Sequence, residues 1–248
     1  MDKETDILEG EEKFMKIIAI ITARGGSKRI PHKNTREFCG KPIIAYAIDT
    51  ALKSKIFDEI MVSTDDENIA HLSIEYGAQV PFMRSEKNSN DFATTEDVLK
   101  EVIEQYQIQG KDFDIYCCLY PTAPFISPKR LRDAMNIFIQ SGANFLTPVV
   151  KYSYPPQRSL IIKDGLLNMQ WPEFKKARSQ DLDNWYHDCG QFYIGNTKAL
   201  IKDGMSNGAT VPFVLPETEV QDIDTEEDWK MAEMKYRILN NNEKEEDI

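Results

Sequence analysis

The chain has 248 residues, 41% of them hydrophobic and 29% charged, which suits a globular fold with a sizeable core and excludes a fibrous or disordered one. Its net charge is −11, but residues 1–13 carry six acids against two bases and residues 240–248 carry four against one, so the body between them is only −4. That mildly acidic body argues against a general nucleic-acid surface, and no apolar run approaches the roughly 20 residues of a membrane span.

Both ends are too polar to pack, so residues 1–15 and 240–248 are expected to be disordered tails around a single domain at 16–239. The opening MDKETDILEGEEKF has no apolar centre and is not the pattern of a secretory leader, so a cytoplasmic location is expected. Apolar runs then alternate with helical periodicity, the signature of an α/β fold: a mostly parallel open sheet with helices on both faces. Strands are predicted at Lys16–Thr22, Glu59–Ser63, Gln79–Phe82, Asp114–Leu119 and Asn144–Val150. Helices are predicted at Pro42–Ser54, Glu67–Tyr76, Thr95–Gln107 and Pro128–Ser141, with a proline suited to the first turn of two of them. The rhythm breaks after Val150. Leu160-Ile161-Ile162, then Asp164-Gly165, then Leu166-Leu167 predict a β-hairpin inside an insertion at about 151–187. The chain is expected to rejoin the sheet at Gly190–Ile194 and Pro212–Leu215 and to end in a helix near Thr225–Leu239. Cys39, Cys117, Cys118 and Cys189 have no CxxC spacing and are read as buried thiols.

In an open parallel sheet ligands bind beyond the carboxyl ends of the strands, so the loops after each strand carry the functional argument. The first runs from Arg24 through Gly25, Gly26, Ser27, Lys28, Arg29, Ile30, Pro31, His32 and Lys33 to Asn34. Glycines let the backbone approach a ligand, and the cations supply charge for a polyphosphate. The run is neither GxGxxG nor a P-loop, which weighs against a dinucleotide fold and a P-loop ATPase. In the second loop Thr64 or Asp65 is a candidate helix cap, and in the third Thr94 with Asp97 has the spacing of a capping box. The fourth, Tyr120-Pro121-Thr122-Ala123-Pro124-Phe125, is a rigid turn suited to a pocket wall. Near the end Asp222 and Asp224 are two apart on an extended segment, so both can present hard oxygens to magnesium, although Asp224 also competes as a cap for the last helix. Together these residues suggest metal-assisted nucleotidyl transfer.

The motifs ITARGGSKRIPHKN, KPIIAYAI, IMVSTDDENIA, RSEKNSNDFATTEDV, YPTAPF, YHDCGQFYI and QDIDTEEDW resemble the cytidylyltransferases that activate nine-carbon acidic sugars. The resemblance runs from Lys16 to Leu239, falls within the sialic acid synthetase group and is nearest to its pseudaminic acid branch. It implies a nucleotide-diphospho-sugar transferase-like fold and attack of a sugar's anomeric hydroxyl on the α-phosphate of CTP, releasing pyrophosphate. By the same resemblance Arg24, Gly25, Gly26, Ser27, Lys28 and Asn34 hold the CTP phosphates and ribose, with Lys28 catalytic. Arg84, Thr94 and Thr95 lie on the cytosine and sugar side. Asp222 and Asp224 hold Mg2+ and are catalytic. Tyr120, Phe125, His187 and Gln191 are assigned to the sugar, and Arg178 and Gln180 in the insertion are expected to complete a neighbouring site in a homodimer. Tyr120 and His187 stand where the sialic acid enzymes carry glutamine and arginine, which points away from sialic acid. The alternatives are the same reaction on legionaminic acid, sialic acid or a 3-deoxy-ulosonic acid, or a non-catalytic nucleotide-binding protein of the same fold. Asp222 and a metal-bound water are both candidates to assist deprotonation of the hydroxyl, and the sequence does not choose between them.

Overall fold

A computed structural model of the chain describes residues 15–205 and 207–246. The elements run β1 (Ile17–Thr22), β2 (Glu37–Phe38), β3 (Lys41–Pro42), α1 (Ile43–Ser54), β4 (Glu59–Ser63), α2 (Glu67–Glu75), α3 (Thr95–Ile108), β5 (Ile115–Leu119) and α4 (Pro128–Ser141). They continue with β6 (Phe145–Lys151), β7 (Leu160–Lys163), β8 (Leu166–Met169), β9 (Tyr186–Asp188), β10 (Phe192–Asn196), α5 (Thr197–Asp203), β11 (Thr210–Leu215) and α6 (Glu226–Glu246). The main sheet has the order β11-β6-β10-β5-β1-β4, with β9 also paired to β6. β1, β4 and β5 are parallel, so their carboxyl ends meet at one edge, and β11 runs parallel to β6. The strand that rejoins the sheet is β10, antiparallel to both β5 and β6. The chain leaves the carboxyl end of β6 into the insertion and returns at that same end, so the returning strand must run down the sheet. Its upper part is β9, paired with Val149–Lys151. Pro148 has no N–H to continue that ladder, and Gly190 at φ 59° turns the backbone before β10 begins.

Alternation along the central strands divides the core. Ala19, Ile21, Cys117 and Leu119 face α1 and α4, with Ile44, Ile48, Leu131 and Phe138 packed against them. Ile18, Ile20, Tyr116 and Cys118 face α3, against Leu99, Val102 and Tyr106. Cys117 and Cys118 therefore point to opposite faces of β5, as adjacent strand residues must. All four cysteines are free, and three are buried while Cys39 is half-buried. A third cluster of Ile30, Phe38, Tyr46, Phe125, Ile223 and Trp229 fastens the first loop to α6.

Two expectations need correction. The strand expected at Gln79–Phe82 is a single parallel bridge between Gln79 and Met61, because Pro81 offers no N–H to extend the pairing. The helix expected to stop at Leu239 continues to Glu246, so most of the predicted 240–248 tail is helical, in keeping with its glutamates and lysine. The helix α5 and the short β2–β3 ladder were not anticipated, being too short to show periodicity. Residues 1–14, the bulk of the expected N-terminal tail, and residues 247–248 lie outside the described residues. The insertion hairpin is present as β7 paired with β8, its turn carrying Asp164 and Gly165 at φ 52° and 76°. Among the described residues no helix is long and apolar enough to cross a membrane.

Candidate active site

The loop after β1 turns back over the sheet edge and lines a cavity of about 390 Å3. Arg24, Gly26, Ser27, Lys28, Arg29, Lys33 and Asn34 form one side, and Thr95, Tyr120, Pro121, Thr122 and Asp224 the other. Asn34 is buried and its Nδ2 donates to the Arg24 carbonyl at 2.9 Å, closing the loop on itself. The glycine pair divides its work. Gly26 lines the cavity, whereas a Cβ on Gly25 would come within 2.8 Å of Asp66, and the Gly25 N–H donates to Asp65 Oδ1 at 2.8 Å. Gly25 thus permits close approach of the first two loops and does not aim its amide at the ligand space.

The cations converge on the opposite wall. Arg29 donates to Asp224 Oδ1 at 2.7 Å, and Lys33 lies 3.6 Å from the same oxygen while donating to the Ile223 carbonyl. Arg36 pairs with Glu226 at 2.6 Å and lies over the Trp229 ring. The basic loop and the acidic segment before α6 are therefore held face to face. Arg29 and Lys33 belong to the site as fully as Lys28, although the sequence reading counted them only as part of the basic run and gave them no individual assignment.

Asp224 does not cap α6. Thr225 Oγ1 accepts from the Asp228 N–H at 3.2 Å and Asp228 Oδ2 accepts from the Thr225 N–H at 2.8 Å, a capping box that leaves the Asp224 side chain to the cavity. Asp222 lines a second cavity, of about 530 Å3, with Lys151, Tyr152, His187, Asp188, Gly190, Tyr193 and Lys235. Ile223 between the two acids is fully buried, so the segment is fixed while one carboxylate reaches each cavity. Burial and then the Asp224 charge raise the Asp222 carboxyl above its ordinary value, with Lys33 opposing. One residue of each cavity joins in an aromatic pair. Tyr120 from the first packs edge-on against Tyr193 from the second at 5.5 Å, and the Tyr120 hydroxyl lies 3.0 Å from Thr95 Oγ1.

Several predicted residues stand elsewhere. Arg84 is only 8% exposed and does not line the cavity: its guanidinium donates to Ser63 Oγ and the Ser63 carbonyl at 3.0 and 2.5 Å, at the end of β4. Burial lowers its pKa, opposed by Asp65 and Glu101. Thr94 is the N-cap of α3 in a complete capping box with Asp97 and stays outside the cavity. The cap of α2 is Asp66, not Thr64 or Asp65. Phe125 packs into the third core cluster and faces a separate cavity beside Tyr46 and Tyr236. Gln191 is buried, its Nε2 donating to the Glu219 carbonyl at 2.7 Å, so it braces the turn ahead of Asp222. Arg178 is paired with Asp181 inside the insertion, and Gln180 lines a third cavity that shares Lys151, Tyr152 and Ser153 with the His187 cavity. His187 itself lines the second cavity, with Nδ1 2.8 Å from the Asp188 carbonyl oxygen and its ring 4.7 Å from Tyr152.

A family model described as "Cytidylyltransferase" matches residues 18–156, from β1 through the first, second, third and fourth loops. The chain belongs to the cytidylyltransferase family. It is 43% identical to the pseudaminic acid cytidylyltransferase of Campylobacter jejuni subsp. jejuni serotype O:23/36, over 90% of this chain and 97% of that one. It is 38% identical to the CMP-N,N'-diacetyllegionaminic acid synthase of Legionella pneumophila, over 88% and 95%. Identity to the N-acylneuraminate cytidylyltransferase of Oncorhynchus mykiss is 31%, over 94% of this chain and 53% of that one. Among solved structures, a CMP:2-keto-3-deoxy-manno-octonic acid synthetase complexed with CTP superposes with a TM-score of 0.66 at 18% identity, covering 91% of this chain and 99% of that one. A 4-diphosphocytidyl-2C-methyl-D-erythritol synthase from Anaerococcus prevotii gives 0.58 at 16% identity, covering 90% and 99%. Both likenesses establish the shared fold of the family.

Proposed function

We propose that the protein transfers CMP from CTP to the anomeric hydroxyl of pseudaminic acid, with release of pyrophosphate. The observation that carries this reading is the Asp222-Ile223-Asp224 segment, which places one carboxylate in a cation-lined cavity and the other in a second, polar one. The first has the charge for a triphosphate. The second, with His187, Lys151 and Lys235, has donors for an acidic sugar. The reacting groups then meet between the two cavities: the sugar hydroxyl gives its proton to Asp222 or to water as its oxygen forms a bond to the α-phosphorus, the bond from that phosphorus to the α,β-bridging oxygen breaks, and pyrophosphate leaves. Such a displacement needs alignment and charge neutralisation more than a side-chain nucleophile. Arg24, Lys28, Arg29 and Lys33 supply the charge, and Tyr120 with Tyr193 forms the wall that sets the relative positions of the two substrates.

Asp222 and Asp224 suit magnesium, which is commonly held by one or two carboxylates plus substrate phosphates. Among the described residues no group of three or more His, Cys, Asp and Glu is placed for a metal, so the two aspartates would hold the ion together with substrate phosphates. When bound, the ion would neutralise charge on the phosphates. The choice of pseudaminic acid rests on the identity of the Campylobacter relative over nearly its whole length. A homodimer is supported by the β7–β8 hairpin, whose Leu160, Ile162, Leu166 and Leu167 are exposed with no cover from the described chain. Four unpaired cysteines support a reducing, cytoplasmic location. Mass spectrometry of a reaction containing CTP, Mg2+ and pseudaminic acid tests the reading: the CMP-sugar is expected, and its absence from folded protein would overturn it.

A further inference from the structure

Carboxylates engage donors in and behind the wall of the first cavity. Asp65 takes the Gly25 amide and Asp224 takes Arg29, and both acids sit on segments anchored in the core. Asp91 differs. One of its oxygens accepts from Arg24 Nη1 at 2.9 Å, and the other is ion-paired with Lys28. Its loop joins the turn at Glu86–Asn88 to α3 and has little attachment to the body: neighbouring Phe92 is 93% exposed. The loop's own bonds are local. Asn90 Oδ1 accepts from the Phe92 and Ala93 amides, Asn90 Nδ2 donates to the Lys87 carbonyl, and Ser89 Oγ donates to the Ser85 carbonyl. Its contact with the first loop is made by Asp91, with a longer contact from Arg24 to the Asn90 carbonyl at 3.4 Å.

A carboxylate bridging two cations through its two oxygens stands as a phosphate would, but with a single charge and from a weakly held segment. Lys28 and Arg24 hold the Asp91 carboxyl below its ordinary value, in keeping with that bridging position. We propose that Asp91 is an internal counter-anion of the cradle, holding Arg24 and Lys28 together in the empty site and yielding them to the triphosphate. The inference rests on the reading that this cradle takes the triphosphate. Asp91 then lowers affinity for phosphate-bearing ligands while keeping the two cations from repelling one another, and it acts as a positioning residue.

Calorimetric titration of the full chain with inorganic pyrophosphate, without added metal, tests this. Asp91→Asn keeps the shape and removes the competing charge, so it is expected to bind about threefold or more tightly than the native protein, the scale of exposed ion pairs that need not be broken. Glu86→Gln removes a charge from the same segment outside the cavity lining and is expected to change nothing. In a Lys28→Ala background the gain from Asp91→Asn should shrink, because one of the two cations it masks is gone. Equal or weaker binding by folded Asp91→Asn, or the same gain from Glu86→Gln, would overturn the proposal. If Lys28→Ala weakens binding but Asp91→Asn fails to tighten it, only the counter-anion idea falls. If Lys28→Ala also leaves binding unchanged, the cradle reading falls with it.

Discussion

Replacing Asp224 by asparagine separates a metal-binding role from a structural one, because the structure shows what the side chain does for the fold. It accepts from Arg29 and lies near Lys33, and it takes no part in capping α6. The Arg29 side chain is 67% exposed and that of Asp224 36%, so the lost ion pair is worth about 0–1 kcal/mol. Thr225→Ala, one residue on, removes the true cap and should cost about 0.5–2 kcal/mol. The order of stabilities is therefore expected to be native, then Asp224→Asn, then Thr225→Ala. The order of activities should be different. Asparagine keeps the shape but loses the charge that makes a hard-cation ligand, so Mg2+-dependent turnover should fall on the order of 10²-fold, equivalent to about 2.7 kcal/mol of transition-state stabilisation. CTP binding without metal should remain within about threefold of native, since the cradle cations are untouched. The assay is pyrophosphate release against a magnesium titration, with urea denaturation of the same preparations. Native activity and magnesium dependence in Asp224→Asn would refute the reasoning, leaving Asp224 a partner of Arg29 only.

His187→Ala should raise the apparent KM for the sugar several-fold while leaving that for CTP nearly unchanged, because His187 lines the second cavity and not the first; equal changes in both would place it outside sugar recognition. The thiols offer a check on burial. Burial pushes Cys118 up to about 12 and Cys189 up to about 12, so at pH 8 they are protonated and shielded, and a thiol reagent should modify half-buried Cys39 first and the other three only on unfolding. Rapid reaction of all four in the native protein would contradict the packing.

The sequence made the parallel β1, β4 and β5 edge legible because βα periodicity and the loop after β1 are local patterns. It also placed the hairpin, since Asp164-Gly165 is a local turn signal. The direction of β10 was not legible. It follows from where the insertion begins and ends on the sheet, and no residue in Phe192–Asn196 encodes it. Among site residues, Lys28, Thr95 and Asp224 are brought together at the first cavity, and Tyr120, which the motifs assigned to the sugar, lines that same cavity and not the one with His187. Phe125 and Gln191 were misread because an aromatic and an amide next to a loop look the same whether they face a ligand or brace the core. Their burial against Trp229 and Glu219 depends on α6 and on the turn before Asp222, which are distant in sequence. Asp91 was passed over for a similar reason. Its partners lie 63 and 67 residues away, and its own neighbourhood reads simply as the approach to a helix cap.

The central claim is that two cavities, one for a nucleoside triphosphate and one for an acidic sugar, carry out cytidylyl transfer. Initial rates of pyrophosphate release across CTP, UTP, ATP and GTP, each crossed with pseudaminic, legionaminic, N-acetylneuraminic and 3-deoxy-octulosonic acids, test it most directly. Turnover is expected with CTP, with pseudaminic acid preferred over N-acetylneuraminic acid by about tenfold or more in kcat/KM, a difference that a mismatched polar contact in the pocket can produce. Equal turnover of ATP, or no pyrophosphate release with any pairing, would contradict the account.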